Sequence, residues 1–266
     1  MKVGIFYICT GRYSIFWKAF YESCEKFFLP DVEKHYYVFT DSDDIPSDVP
    51  NITKYFRSPQ GFPLDSLLRF DMFIDIEDEA SSCDYLFFFN SNMQFQRVVQ
   101  PDEILPGQDD NGLVVVLHPG YYDKKDSLFL PYEKHRRSSA YIPYSKAEHY
   151  EYYMGGVNGG TSSAYYDLIH QCSKNIHTDM DNGVLALYHD ESHLNRYVHG
   201  KKVRVLTPSF GYPEDSQIPF EPVCVILSKM KHGGKYFDKL PKTSVMRRLV
   251  FKLKRFYWAM LWKAGI

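Results

Sequence analysis

Short apolar runs alternate with segments of helical spacing along the first half of the chain. The runs are rich in β-branched and aromatic residues, which is typical of buried strands. Between them, apolar residues recur every three or four positions and predict helices over residues 14–28 and 64–76. This alternation favours an α/β fold with a mostly parallel central sheet. The strand-like runs are residues 2–9, 35–40, 85–89 and 113–117.

Polar segments follow three of these runs at the points where the predicted strands end. They are residues 10–13, 90–92 and 118–120. Because ligands bind outside the carboxyl ends of the strands in open α/β sheets, we expect a binding site at this edge.

The composition fits a single globular domain, which we place at residues 1–242 of the 266. Lys and Arg number 31 against 33 Asp and Glu, so the charge balance gives no case for nucleic acid binding. The 22 tyrosines and 20 phenylalanines suit either stacking on sugars and bases or an aromatic core. Five widely spaced cysteines without a CxxC pair argue against a disulfide framework or a zinc site, and favour a reducing compartment.

Residues 243–266 differ in composition from the rest of the chain. They contain six basic residues, two tryptophans and no acidic residue, with apolar residues near helical spacing. This pattern is typical of a helix that lies on an anionic membrane surface. A helix that packs on the protein and a disordered basic tail are the alternatives. The apolar N-terminal run is too short to cross a bilayer and has no signal-peptide cleavage pattern.

Asn90, Ser91 and Asn92 form the first candidate binding segment. In extended backbone the two amides point the same way and can hydrogen-bond a sugar or a phosphate. Amides are neutral and hold a divalent cation poorly compared with carboxylates. The alternative is a polar segment that only terminates the strand.

Residues 188–193, with the sequence YHDESH, are the densest titratable segment. The adjacent carboxylates of Asp190 and Glu191 can raise one another's pKa, as a base or nucleophile site requires. Acidic residues are also favoured at a helix start, and a helix is predicted at residues 192–197, directly after this pair. Both interpretations can hold together.

Four glycines lie within residues 154–160. Glycine lets the backbone approach a ligand closely, although the segment has neither the GxGxxG nor the Walker A pattern. The alternative is an irregular surface loop.

Six motifs in this order resemble glycosyltransferase family 6, which contains the blood group A and B transferases, α-1,3-galactosyltransferase, Forssman synthase and bacterial members. The resemblance spans residues 3–215. The motifs are YYVFTD (36–41), DYLFFFNSN (84–92), LHPGYY (117–122), SSAYIP (138–143), YYMGGVNGG (152–160) and YHDESHLNRY (188–197).

The resemblance implies a GT-A fold and transfer from a UDP-sugar to a β-galactoside, with an α-1,3 linkage and retention at the anomeric carbon. Asn90 and Asn92 stand where mammalian members carry the two aspartates of the metal-binding DxD motif. Bacterial members with this NxN pattern work without a metal, so no divalent metal cofactor is expected. The donor-binding positions implied by the match are Ile8, Cys9, Thr10, Tyr13, Arg69, Asn90, Ser91, Asn92, Met154, Gly155, Gly156, His189, Asp190 and Lys231.

Without a metal, protein groups must stabilise the leaving diphosphate, and such charge stabilisation is usually a large catalytic term. Arg69 is one candidate. The others lie in a C-terminal segment that, in the family, orders over the diphosphate, and we choose Lys231 among them. These candidates are Lys229, Lys231, His232 and Lys235.

Glu191 matches the catalytic carboxylate of the family. It is either a nucleophile that forms a glycosyl-enzyme or a group that stabilises an oxocarbenium-like state while the acceptor attacks on the leaving-group face. His118 and Tyr188 match acceptor-binding positions, together with Glu191 itself. Tyr188 replaces the usual tryptophan and keeps an aromatic face.

Two positions give conflicting indications about the donor sugar. Gly156 matches the small residue that leaves room for an N-acetyl group, whereas Met154 matches the residue of the galactose-specific B transferase. We favour UDP-N-acetylgalactosamine over UDP-galactose, because a missing side chain makes room that a flexible methionine also allows.

Two competing interpretations stay open. The chain could use another UDP-sugar, such as UDP-glucose, or it could be a non-catalytic nucleotide-sugar or carbohydrate binding protein. The Asp190–Glu191 pair argues against the second.

Since mammalian relatives have an N-terminal membrane helix and this sequence shows none, we expect a bacterial, cytoplasmic protein, peripheral to the inner membrane through its tail. The expected acceptor is a fucosylated galactoside, with a lipopolysaccharide or capsule precursor suiting the basic tail.

Overall fold

The structure, a computed structural model, describes residues 1–124, 126–146, 149–234, 237 and 245–265. The strands in these residues are β1 (Lys2–Ile8), β2 (Glu33–Thr40), β3 (Ile52–Phe56), β4 (Tyr85–Phe89), β5 (Met93–Phe95), β6 (Leu113–Leu117), β7 (Tyr153–Thr161), β8 (Arg204–Leu206), β9 (Tyr212–Pro213) and β10 (Cys224–Ile226). The α-helices are α1 (Trp17–Phe27), α2 (Leu64–Leu67), α3 (Arg69–Ile74), α4 (Glu77–Ala80), α5 (Pro101–Ile104), α6 (Ser162–Asp181), α7 (His189–Val198), α8 (Lys229–Gly233) and α9 (Val245–Ala264).

The central sheet has seven strands in the order β3-β2-β1-β4-β7-β6-β8. Neighbouring strands are parallel except where β7 pairs with β4 and β6, so the predicted mostly parallel α/β sheet is confirmed. Six strands therefore end at one edge, and β7 begins there. A smaller sheet of β5, β10 and β9 lies beside it.

Aromatic side chains of the central strands fill a core on each face of the sheet. Successive strand residues point to opposite faces, so Tyr7 packs towards α1, where its ring lies 4.5 Å from that of Phe20. Phe6 packs on the other face, 4.3 Å from Phe73 of α3. Because a buried Phe contributes about 1.5–3 kcal/mol, these rings are a main source of stability. Much of the aromatic content is therefore core.

Two predicted helices differ in detail from the observed ones. The first begins with a 3-10 turn, Gly11–Phe16, and becomes α-helical only at Trp17. The second is divided into α2 and α3, because Leu68 leaves helical dihedral angles with ψ at 16°. The glycine segment is the larger correction: it forms the buried strand β7, and the surface-loop interpretation is wrong.

The C-terminal segment is helical as predicted, and its last turns pack on the rest of the protein. The Trp262 side chain is 1% exposed and donates from its indole Nε1 to the Ile142 carbonyl oxygen at 2.6 Å. Lys263 pairs with Asp126 at 2.8 Å. The disordered-tail interpretation is therefore wrong for α9. Within the described residues, no helix combines the length and the hydropathy needed to cross a bilayer.

The five cysteines are all buried and free. Burial raises the pKa of the Cys9 and Cys24 thiols to about 12, and it also raises the pKa of the other three. They therefore stay protonated at neutral pH and pack as small apolar side chains.

Candidate active site

The predicted polar segments lie at the edge of the sheet where the parallel strands end. Asn90 follows β4, and its backbone N–H donates to the Gly156 carbonyl oxygen of β7 at 2.8 Å. His118 follows β6, and its N–H donates to the Tyr152 carbonyl oxygen at 2.9 Å. The reversed direction of β7 thus brings its first residues between the ends of two parallel strands.

Helix α7 covers this edge and begins earlier than predicted. It starts at His189, so Asp190 and Glu191 lie inside its first turn and not before it. The Ser192 hydroxyl accepts a hydrogen bond from the Tyr188 N–H at 3.0 Å, which helps to set the start of the helix. His189 has a φ of 51°, which is uncommon for a residue with a side chain. Acidic residues in a first turn interact favourably with the helix dipole.

Glu191 is held through both carboxylate oxygens. Tyr152 Oη donates to Oε1 at 2.7 Å, and the Gly155 N–H donates to Oε2 at 2.6 Å. Burial raises the pKa of Glu191, and these two hydrogen bonds oppose the rise. The Asn195 side chain joins α7 to β7 through hydrogen bonds to both backbone groups of Tyr153. The carboxylate is therefore fixed in orientation.

Asp190 forms a buried ion pair with Arg69, in which Nη2 lies 2.9 Å from Oδ2. Burial raises the pKa of Asp190 to about 6, and the Arg69 charge lowers it only in part. The guanidinium also lies over the Phe88 ring, 4.4 Å from its centroid. Arg69 Nε is buried without a hydrogen-bond partner among the described residues. An unused buried donor costs about 1–3 kcal/mol, so it is suited to bind a ligand atom.

Two glycines of β7 let these groups approach one another. A Cβ atom on Gly155 would lie 3.1 Å from Glu191 Cβ and 3.3 Å from Asp190 Oδ2. A Cβ atom on Gly156 would lie 2.6 Å from Asn90 Nδ2 and 2.9 Å from Met154 Cε. The acidic pair and the polar turn after β4 therefore meet along one stretch of backbone that has no side chains.

The two asparagines of the predicted amide segment make different contacts. Asn92 is buried and donates from Nδ2 to the Leu227 carbonyl oxygen at 2.7 Å, while the Leu227 N–H donates back to the Asn92 carbonyl oxygen. Ser91 is also buried, and its carbonyl oxygen accepts from Tyr7 Oη. Only Asn90 lies beside the glycines. The side chains that this turn could offer to a metal ion are neutral. In the described ranges, no group of three or more His, Cys, Asp or Glu is arranged to hold a metal ion.

Four of the predicted donor-binding positions, Ile8, Cys9, Thr10 and Tyr13, lie at and after the end of β1. The Cys9 side chain is fully buried and its backbone N–H and C=O bond Phe39 and Thr40, so its thiol is not exposed to a ligand. Ile8 is half-buried and Thr10 is buried beside it. Tyr13 is half-buried, and its hydroxyl accepts from Lys229 Nζ at 3.0 Å.

Among the described residues, Lys231 contacts acidic side chains and not the other predicted donor-binding residues. Its ammonium group pairs with Asp215 at 2.7 Å and lies 3.8 Å from Glu214, on the outer side of α8. Lys229, from the same basic segment, contacts Tyr13, one of the predicted donor-binding residues. Lys235 lies outside the described residues.

The predicted acceptor residues surround a tyrosine that the sequence analysis missed. The rings of His118 and Tyr188 lie 5.8 and 6.5 Å from that of Tyr152, which also bonds Glu191. Burial lowers the pKa of His118 to about 4, so its ring is neutral at physiological pH. Phe62, another residue that was not predicted, is 84% exposed and lies edge-on to His189. Tyr152 belongs to a quoted motif, but nothing in the pattern distinguished it from Tyr153.

Comparison with known proteins identifies relatives over most of the chain. The sequence model of glycosyltransferase family 6 matches residues 1–235. The Escherichia coli O-antigen biosynthesis glycosyltransferase WbnI is 36% identical over 215 residues, covering 80% of this chain and 89% of that protein.

Two vertebrate proteins are also similar. The human globoside alpha-1,3-N-acetylgalactosaminyltransferase 1 is 31% identical over 231 residues, covering 82% of this chain and 63% of that protein. The rat histo-blood group ABO system transferase 1 is 32% identical over 224 residues, covering 80% and 61%. The alignments thus span less than two-thirds of these two longer relatives.

The family match confirms the assignment that the six motifs implied, and the seven-stranded sheet with flanking helices agrees with a GT-A-type fold. A glycosyltransferase of this kind needs a nucleotide-sugar donor and a glycan acceptor. The chain therefore belongs to glycosyltransferase family 6 and is a UDP-sugar-dependent glycosyltransferase.

Proposed function

We propose that the enzyme transfers N-acetylgalactosamine from UDP-N-acetylgalactosamine to the 3-hydroxyl of a β-galactoside, with retention and without a metal ion. UDP-galactose is the second candidate donor, and the acceptor is fucosylated. The observation that carries this proposal is the geometry of Glu191, a buried carboxylate fixed through both oxygens beside the glycines of β7.

Glu191 faces the position where positive charge develops at the anomeric carbon in the proposed reaction. A fixed carboxylate in a site shielded from water stabilises such charge without reorganisation. The same carboxylate can instead attack the anomeric carbon and form a glycosyl-enzyme that the acceptor resolves. Both routes require Glu191 to be ionised, and its two hydrogen bonds favour that form.

The donor sugar binds between the Arg69–Asp190 pair and Gly156. The carboxylate of Asp190 and the free Nε of Arg69 are suited to bind sugar hydroxyls, with His189 beside them. The methyl group of Met154 occupies part of the room next to Gly156, so an N-acetyl group would displace it. Methionine is flexible enough to allow this. The human relative's name, an N-acetylgalactosaminyltransferase, supports the same donor.

Cationic side chains replace the metal at the diphosphate. Asn90 and Asn92 offer neutral amides, and the Asn92 amide already bonds Leu227. Arg69 and Lys231 are the proposed cations, and Lys231 would exchange Asp215 for the diphosphate. Charge-assisted hydrogen bonds to phosphate are about twice as strong as neutral ones, so cationic side chains stabilise the diphosphate more than the neutral amides can.

The C-terminal helix supports peripheral contact with a membrane on the cytoplasmic side. The exposed residues of α9 include an apolar stripe at spacings of three and four, which defines one face of a helix. Residues 243–266 contain no acidic residue, which favours an anionic surface. The stripe consists of Leu253, Phe256, Tyr257 and Met260.

The first test is a transfer assay with the purified protein in excess EDTA. UDP-N-acetylgalactosamine and UDP-galactose are supplied separately with 2-fucosyllactose as the acceptor. We expect transfer in EDTA, faster with the N-acetylated donor. A requirement for added manganese would contradict the metal-free mechanism, and faster transfer of galactose would reverse the donor assignment.

Glu191→Gln is the matched variant for this assay. The amide keeps the shape of the side chain but has no charge, so transfer should be lost while UDP binding, measured by calorimetry, is retained. Transfer at the wild-type rate by Glu191→Gln would exclude the proposed role of the carboxylate.

A further inference from the structure

A cavity of about 760 Å³ lies between α9 and the segments 121–124 and 128–135, outside the site described above. Volumes of this size are typical of ligand-binding pockets. Most of the lining surface is apolar and comes from three separate parts of the chain, although Lys124, Glu133, Lys134 and His135 also line the cavity. The main apolar residues are Leu128, Phe129, Leu185, Leu187, Phe256 and Trp258.

The cavity adjoins the acceptor side of the active site. Tyr121 and Tyr132 line the cavity, and their ring centroids lie 5.5 and 5.6 Å, respectively, from that of Tyr152. Tyr121 also packs against His118 at 4.8 Å. Leu187 lines the cavity and directly precedes Tyr188. Aromatic side chains of the cavity lining therefore pack directly against the residues of the proposed acceptor position.

The group attached to the acceptor sugar is the part of the substrate that fits this position. When the 3-hydroxyl of a galactoside faces the donor, the substituent at its anomeric carbon points away from the donor. The apolar surface that makes up most of the lining cannot hydrogen-bond the hydroxyls of further sugars, whose burial against it would be costly. It favours a hydrocarbon by about 25 cal/mol for each Å² of apolar surface buried.

The exposed stripe of α9 gives a hydrocarbon chain a route to the cavity. Phe256 belongs both to the stripe and to the cavity lining, and it is 63% exposed. A lipid held in a bilayer under the stripe can therefore pass into the cavity along an apolar surface. We propose that this cavity binds the hydrocarbon aglycone of a glycolipid acceptor. The assignment rests on the proposed function, since it takes the acceptor side from that proposal.

A binding experiment tests the cavity without catalysis. Octyl β-lactoside, below its critical micelle concentration, is titrated into the protein and tryptophan fluorescence is recorded, because Trp258 lies in the lining. We expect a saturable change with octyl β-lactoside that is at least tenfold weaker in affinity with methyl β-lactoside. Leu185→Asp places a charge in the cavity lining and should abolish the fluorescence change. The Leu185 side chain is 53% exposed, so the substitution does not disturb the core. Equal affinity for the two lactosides would overturn the proposal.

Kinetics provide the second test. The ratio of KM for methyl to octyl lactoside should be at least ten in the wild type and should approach one in Leu185→Asp. Met180→Asp is the matched control, because Met180 is also an exposed apolar residue but lies on α6 outside the lining, and its ratio should stay at ten. A ratio that Leu185→Asp leaves unchanged would overturn the proposal.

Two further outcomes separate the cavity from the reaction. A lactose-terminated tetrasaccharide that lowers KM as much as the octyl chain does would assign the cavity to sugars and overturn the proposal. Octyl lactoside that binds through Leu185 but receives no sugar from either donor would support the cavity and contradict the proposed reaction instead.

Discussion

Glu191 has a hydrogen-bond donor on each carboxylate oxygen, one from a side chain and one from the backbone. Burial alone would favour the protonated form, and the donors from Tyr152 and Gly155 favour the ionised form. The protonation state of this residue therefore depends on a tyrosine that the family motifs did not single out.

Tyr152→Phe should change the pH dependence of transfer. Without the hydroxyl the pKa of Glu191 rises further. As the pH is lowered, the ionised carboxylate and the activity that needs it are therefore lost at a higher pH than in the wild type. We expect the acid limb of kcat/KM to move to higher pH and kcat to fall about tenfold, roughly the value of one hydrogen bond to a charged group.

Tyr153→Phe is the control for this variant, because the Tyr153 hydroxyl bonds Glu151 and not Glu191. Its acid limb should match that of the wild type. If Tyr152→Phe also left the acid limb in place, Tyr152 would have a packing role alone.

Asn92→Asp should destabilise the protein without creating a manganese site. The substitution removes the donor to Leu227 and places a carboxylate against that carbonyl oxygen in a buried position. The expected loss is about 1–3 kcal/mol in the free energy of unfolding, measured with urea. Asn90→Asp, at the half-buried first position, should lose less. Manganese-stimulated transfer by Asn92→Asp alone would contradict this account.

At the scale of elements, β7 combines a structural and a functional use of glycine. A Cβ atom on Gly160 would lie 2.1 Å from the backbone oxygen of Gly112, which cannot move without breaking the sheet. The contacts at Gly156 are with the ends of two side chains, Asn90 and Met154, which can move. The same residue type therefore serves close strand packing at one end of β7 and space at the other.

Gly160→Ala and Gly156→Ala should accordingly have different effects. Gly160→Ala should lower the free energy of unfolding by about 3 kcal/mol, the upper end of the range for an overpacked site. It should not change the preference between the two donors. Gly156→Ala should be much closer to the wild type in stability but should shift kcat/KM from UDP-N-acetylgalactosamine towards UDP-galactose. An unchanged donor ratio in Gly156→Ala would contradict the role given to that space.

Two lysines of α8 allow a comparison within one turn of helix. Lys231→Ala should lower kcat at least about tenfold, or roughly 1.4 kcal/mol of transition-state stabilisation, if Lys231 moves from Asp215 to the diphosphate. Lys229→Ala, which loses the contact with Tyr13, should mainly raise KM for the donor. Wild-type turnover in Lys231→Ala together with a low kcat in Lys229→Ala would assign the diphosphate to Lys229.

Apolar periodicity was sufficient to predict four parallel strands and the edge where the site lies, because each strand is a continuous apolar run. It could not reveal β7, since four of its nine residues are glycines and it pairs with strands far away in sequence. The family resemblance brought Arg69, Asp190 and Glu191 to attention. It could not separate Tyr152 from Tyr153 or Lys229 from Lys231, because side-chain direction depends on how the elements pack.

At the scale of the whole molecule, α9 is both attached to the body and exposed to solvent. Its last turns bury Trp262 against Ile142, Tyr144 and Tyr150, while the stripe from Leu253 to Met260 faces outwards. Whether residues 243–266 act as a unit separate from the catalytic domain, as the sequence predicts, can be tested by removing them.

Ending the chain at Lys242 should abolish sedimentation with anionic vesicles and should also lower the melting temperature. The second effect follows from the loss of Trp262, since removing a buried tryptophan side chain costs about 3–5 kcal/mol. Trp262→Ala separates the two effects, because it removes the packing but keeps the stripe and the basic residues. Vesicle binding that survives the truncation would contradict the membrane proposal.

The buried cysteines have a practical consequence for labelling chemistry. All five lie in the described part of the chain and are shielded, and burial keeps each thiol protonated, whereas maleimides react with exposed thiolates. A cysteine substituted for Leu253 or Met260 would thus carry a fluorophore at a single known position, and none of the native cysteines would have to be removed. Quenchers placed at different depths in a lipid bilayer could then measure how far the stripe enters it.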